Sequence, residues 1–129
     1  SKIRYTIAFF IITRPIFDMK ATLKALVEGA HLPISVVIIG LGDADFSKMH
    51  RLDGRIFPLQ KEDKSYLDRD MSLFVTSKDN SEEGVQNLKT RILSRIQSQM
   101  AEYIKSLRDD VDPQEIILER FPVIQIGIF

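Results

Sequence analysis

The chain has 129 residues, 44% of them hydrophobic, which suffices for one core of ordinary size and leaves little for a second. Eighteen basic residues balance eighteen acidic ones, so no net field favours nucleic acid or an anionic bilayer, and nucleic acid is not an expected partner. The chain has no cysteine, which excludes a disulfide scaffold, a thiolate nucleophile and a zinc ribbon, and fits a reducing cytosol.

The sequence opens at Ser1 and runs almost at once into a core-like strand, so a fragment of a longer protein is expected. The apolar stretch from Ile7 to Ile12 is too short to span a bilayer or to serve as a secretory signal. Residues 5–13 are apolar on both alternating faces, which predicts a strand covered by helices on both sides of a parallel sheet. Pro15 ends that pairing. Asp18 stands where it can cap a helix in which Met19, Leu23, Leu26, Val27 and Ala30 share one face. Pro33 prevents the helix from continuing, and residues 34–39 form a second β-branched run, completing one right-handed crossover.

Beyond Gly40 and Gly42, residues 45–52 have the spacing of a short helix before Asp53 and Gly54 turn the chain. Residues 55–70, with Pro58 and a run of charges, read as an exposed, partly mobile connection. Residues 72–76 read as a third strand. Asn80 and Glu83 are expected to pair as the cap of the longest helix, whose stripe is Val85, Leu88, Ile92, Ile96, Met100, Tyr103 and Leu107. Pro113 predicts a further helix starting near Asp112 that lays Ile116, Ile117 and Leu118 over the sheet. Residues 121–129 are apolar and read either as an added edge strand or as a linker that packs elsewhere.

Open parallel sheets bind ligands at the carboxyl ends of their strands, so Thr13, Arg14, Asp43 and Asp45 form the candidate edge. Asp43 and Asp45 do not read as a catalytic pair: Gly42 and Asp43 suit a turn, and Asp45 suits the cap of the short helix. His31 and His50 lack metal-ligand spacing. No serine sits in a glycine-flanked elbow, and the Arg14, Pro15, Ile16 turn cannot wrap amides around a phosphate, so no catalytic residue is expected.

One string is more specific than a generic parallel-sheet pattern. It comprises Ile11-Ile12-Thr13, Asp18-Met19, Leu32-Pro33-Ile34-Ser35, and Gly40 and Gly42 ahead of Ala44-Asp45-Phe46, with Met49 and Leu52-Asp53-Gly54 behind. It resembles the von Willebrand factor A (vWA) domain of the copine family. The resemblance implies an α/β fold, a partial doubly wound, Rossmann-like vWA domain with a mainly parallel sheet flanked by helices. Residues 1–110 would be its C-terminal half, and residues 111–129 a C-terminal extension with a short helix and an apolar segment.

Copines are calcium-dependent, phospholipid-binding proteins with two C2 domains ahead of the vWA domain. The resemblance therefore implies a non-enzymatic protein-binding module of a cytoplasmic protein that associates with the plasma membrane when calcium rises. The C2 domains would bind anionic phospholipid with calcium, and the vWA domain would recruit a target protein; this chain itself would carry no cofactor. vWA domains hold magnesium at the carboxyl edge through an Asp-x-Ser-x-Ser loop, a Thr and the Asp of a Thr-Asp-Gly turn. Here Arg14 follows Thr13 where that Asp would stand, and a guanidinium has no acceptor and repels a cation, so the resemblance implies no metal ligand here and a lost magnesium site.

Two other classes stand beside this reading. The related vWA domain of RING-type E3 ubiquitin ligases would make the chain a substrate-recognition part, decided by a Cys and His pattern downstream. An unrelated doubly wound enzyme would need a catalytic or phosphate-binding loop. In a vWA setting the first strand would leave a bare apolar edge, predicting aggregation or a dimer unless residues 121–129 fill the gap.

Overall fold

Four segments of extended chain make the sheet: β1 (Ile3–Ile12), β2 (Ile34–Leu41), β3 (Ser72–Ser77) and β4 (Ile116–Pro122). They lie in the order β3-β2-β1-β4, and every pairing is parallel. The computed structural model describes residues 3–107 and 116–122. Between β1 and β2 runs α1 (Met19–Gly29), and α2 (Glu82–Ser106) follows β3. A 3₁₀ helix, Ser47–Leu52, follows β2 and takes the place of the short helix read from the spacing of residues 45–52.

Side-chain alternation sorts the core onto the two faces of the sheet. Val36, Ile38 and Phe74 join Leu26, Phe46, Met49 and Leu52 on the face under α1 and the 3₁₀ helix. Val37, Leu73 and Val75 join Tyr5, Ile7, Ile92 and Ile96 on the face under α2. A strand apolar on both faces needs two covering layers, and both are present. Close approach fixes one turn: a side chain at Gly40 would meet the Phe46 ring at 3.1 Å, and Gly42 has φ +94, a conformation open to glycine at little cost.

Both long helices open on side-chain caps. Asp18 Oδ1 accepts from the Ala21 amide at 3.0 Å, as expected. At α2 the expected pair of Asn80 and Glu83 is replaced by Ser81, whose Oγ accepts from the Gly84 amide at 3.1 Å. Asp79 supports that register by accepting from the Ser81 amide at 2.9 Å.

Residues 55–70 are not simply an exposed connection. An antiparallel bridge joins Gln60 to Tyr66, and Arg69 donates to the carbonyls of Ala30, Leu32 and Ile34 at 3.3, 2.8 and 2.9 Å. The same guanidinium lies 5.2 Å from the ring centroid of Tyr103.

The largest departure from the sequence reading is at β4. The helix expected to start near Asp112 falls on residues 112–115, outside the described residues, and Ile116, Ile117 and Leu118 are strand, not helix. β4 runs parallel to β1 in the register Ile3 to Ile116 through Phe9 to Pro122, so the pairing segment begins five residues before Phe121. Residues 123–129 of the apolar segment lie outside the described residues. Ile, Leu and Phe suit a pleated surface as well as a helix, and pairing with the backbone amides and carbonyls of β1 decides between them.

Candidate functional site

Parallel pairing of Ile12 with Gly40 brings the carboxyl ends of β1 and β2 level, so Thr13 and Arg14 leave the sheet beside Gly42 and Asp43. All four candidate residues, Thr13, Arg14, Asp43 and Asp45, are exposed. Asp45 Oδ1 accepts from the Ser47 amide at 3.0 Å, a local turn ahead of the 3₁₀ helix, whose N-cap is Phe46 and not the expected Asp45. Its carboxyl is held below the ordinary value by the Ser47 amide and hydroxyl, with Lys78 and Lys48 adding to the effect. Among the described residues no three His, Asp or Glu side chains gather into a group suited to a metal ion, so Asp43 and Asp45 stand at the edge without a third such donor. Arg14, in the turn after β1, does not fit a divalent cation for the reasons of charge given above.

Next to this edge the loop after β1 leans on the 3₁₀ helix, where the Ile16 amide donates to Met49 Sδ at 3.3 Å. A surface groove of about 830 Å³ opens there, lined by Pro15, Ile16, Phe17, Met19, Asp45 and Arg51 among others. Phe17 stands on it 94% exposed. A second groove, of about 860 Å³, lies between α1 and residues 57–66. His31 is engaged locally, its Nδ1 2.8 Å from the Glu28 carbonyl, and His50 sets its ring edge-on to Phe74 at 5.3 Å.

Comparison with known proteins adds a family to this geometry. The copine family model matches residues 1–111. The chain belongs to the copine family. It is 35% identical over 112 residues to nicotinic receptor-associated protein 1 of Caenorhabditis elegans, covering 79% of this chain and 18% of that protein. To the Caenorhabditis briggsae protein of the same name it is 36% identical over 112 residues, with the same coverage. To copine-C of Dictyostelium discoideum it is 35% identical over 104 residues, covering 81% of this chain and 19% of that protein. The chain therefore spans less than a fifth of the length of these curated relatives. The copine match ends at residue 111, so β4 lies beyond it. Among the described residues no helix is long and apolar enough to cross a membrane.

Within this copine chain the strongest polar arrangement lies inside, where sequence reading did not look. Arg95 of α2 is 9% exposed and Asp53 not at all. The guanidinium donates through Nη1 and Nη2 to the two oxygens of Asp53, through Nε and Nη2 to Asp70 Oδ2, and through Nη2 to the Ser72 carbonyl. Burial alone would push the Asp53 carboxyl up; hydrogen bonds and charge from Arg95, with the Arg55 and Phe74 amides, outweigh it and hold the carboxyl below the ordinary value. A signal was present: Arg95 and Gln99 sit at helical spacing between Ile92, Ile96 and Met100, on the stripe read as apolar.

Proposed function

We propose that this chain is the non-enzymatic, protein-binding part of a copine that reaches anionic phospholipid through calcium-binding C2 domains elsewhere in the full-length protein. On this reading the chain recruits target proteins to the membrane, with Thr13, Arg14, Asp43 and Asp45 forming the contact edge. The observation that carries it is Phe17, 94% exposed on a groove that continues this edge. Phe17 shares that groove with Arg51, and aromatic side chains and arginine are the types enriched at protein interfaces. The name of the nematode relatives, which associates them with a nicotinic receptor, supports a membrane receptor as one class of target. Magnesium is not a ligand of this edge, because Arg14 occupies the position of the metal-binding carboxylate.

The test is affinity capture from a membrane extract on the immobilised chain, run beside a variant carrying Arg14→Glu and Asp43→Lys. Proteins held by the unmodified chain and released by the variant support the edge; identical retention by both overturns it. Lipid binding has its own arm. The chain alone should not sediment with phosphatidylserine vesicles in calcium, and calcium-dependent sedimentation would move the membrane function into this domain.

A further inference from the structure

We propose that the seam between α1 and the 3₁₀ helix docks an acidic segment of a protein partner that carries apolar anchor residues. The proposal rests on the protein-binding reading above and specifies the chemistry of the partner.

Among the described residues three aromatic side chains are exposed: Phe17 at 94%, Phe57 at 48% and Tyr66 at 57%. All three line the two grooves, and Arg51 lines both, so the grooves meet at its side chain and run on along α1. Leu23, Val27 and Leu59 give the larger groove an apolar floor. Monomeric surfaces do not gather their exposed aromatics into one seam by chance as readily as they scatter them, and aromatics with arginine are the side chains that anchor protein interfaces.

Charge then selects the occupant. The cations along the seam are Lys20, Lys24, Lys48, Arg51 and Lys61, against Glu28, Asp45 and Glu62. Five against three leaves a local surplus of positive charge in a chain whose net charge is zero. The Lys24–Glu28 pair, 4.0 Å apart, removes one charge of each sign and leaves the surplus unchanged, and Asp45 is engaged by the Ser47 amide. A partner segment with acids on its flanks and apolar residues at its centre complements both the rim and the floor. A bilayer complements them less well. An anionic bilayer favours a rim of one sign, whereas here Glu28, Asp45 and Glu62 stand among the cations.

The probe is a short fluorescein-labelled peptide with Phe and Leu set among Asp and Glu, titrated into the full chain by fluorescence anisotropy. Two control peptides replace its acids by Lys or its apolar residues by Ser. The expected result is saturable binding of the first peptide alone, weakened about tenfold or more by Arg51→Glu and by Phe57→Ser. Phe17→Ser, at a side chain almost wholly in solvent, is the variant least able to disturb folding and should also weaken it. Equal binding of all three peptides, no binding of the first, or an affinity unmoved by every substitution would overturn the proposal. So would retention on phosphatidylserine vesicles that Arg51→Glu abolishes, which would assign the seam to lipid. Capture through Arg14 and Asp43 with no peptide binding would sink only the seam; peptide binding without capture would sink only the recruitment reading.

Discussion

Arg95 holds both oxygens of Asp53 across 42 positions of sequence, with Nη1 3.2 Å from Oδ2 and Nη2 3.0 Å from Oδ1. The pair joins the middle of α2 to the turn after the 3₁₀ helix. Asp53 also accepts from the Phe74 amide at 3.3 Å, so one carboxylate ties that turn to β3 as well. Two-point geometry and near-complete burial separate this contact from surface ion pairs, whose contribution is small.

Arg95→Met should therefore destabilise the chain by about 3–5 kcal/mol, because Asp53 would remain buried without its counter-charge. Combining it with Asp53→Leu should cost less than the sum of the two single changes. Urea unfolding of all three variants checks this; strictly additive losses would mean that the residues do not act as a pair.

Stability should also fall in acid through the same carboxylate. Asp53 has a folded-state pKa below its ordinary value, so its contribution is fully present above the ordinary carboxylate range and is lost as pH falls through the folded value. The stability gap between the unmodified chain and Asp53→Asn should shrink between about pH 6 and about pH 3. A gap independent of pH over that span would contradict the sign.

Tyr5 and Ser35 form a second buried tie, with the two hydroxyl oxygens 2.6 Å apart and both residues fully buried. Tyr5→Phe should cost about 1–3 kcal/mol by orphaning the Ser35 hydroxyl, and adding Ser35→Ala should recover part of that loss. Burial raises the Tyr5 phenol, offset in part by Ser35 and Arg69. Its contribution should accordingly hold below the ordinary tyrosine value and fade as pH rises beyond it, as thermal melts across the alkaline range would show.

Arg69→Lys should loosen the entry to β2. A lysine ammonium cannot reproduce the planar fork that reaches the carbonyls of Ala30, Leu32 and Ile34. Hydrogen exchange should quicken at residues 30–34 while β3 stays protected, and a stability loss of about 1–3 kcal/mol is expected. Unchanged exchange there would show that the clamp carries little load.

Arg14→Asp in the full-length protein should raise affinity for magnesium above that of the unmodified protein, read by calorimetry. Magnesium binding by the unmodified protein would overturn the assignment of Arg14 to the position of a metal ligand.

Much of the fold could be read before folding was considered. The extended runs that became β1, β2 and β3, the Asp18 cap and the stripe of α2 are local signals, set by side-chain alternation and spacing over a few residues. The candidate edge followed from them, since parallel strands joined by a crossover must bring their carboxyl ends together. Three features were not legible. Asp53 looked like a turn residue because its role depends on Arg95, far along the chain. Residues 116–118 fitted a helix as well as a strand, and pairing with β1 decided. Phe17, Phe57 and Tyr66 carry no common period that would place them on one seam.

By itself the sequence determined the α/β class, the order of its first three strands and both long helices, and membership of the copine family, because these rest on local patterns and a shared string of residues. Only the tertiary structure decided which polar groups are buried together, which edge β4 joins and where the exposed aromatics converge. Those outcomes depend on contacts between distant segments, and the energies that settle them, desolvation and the pairing of buried charge, exist only once water has been excluded from between those segments.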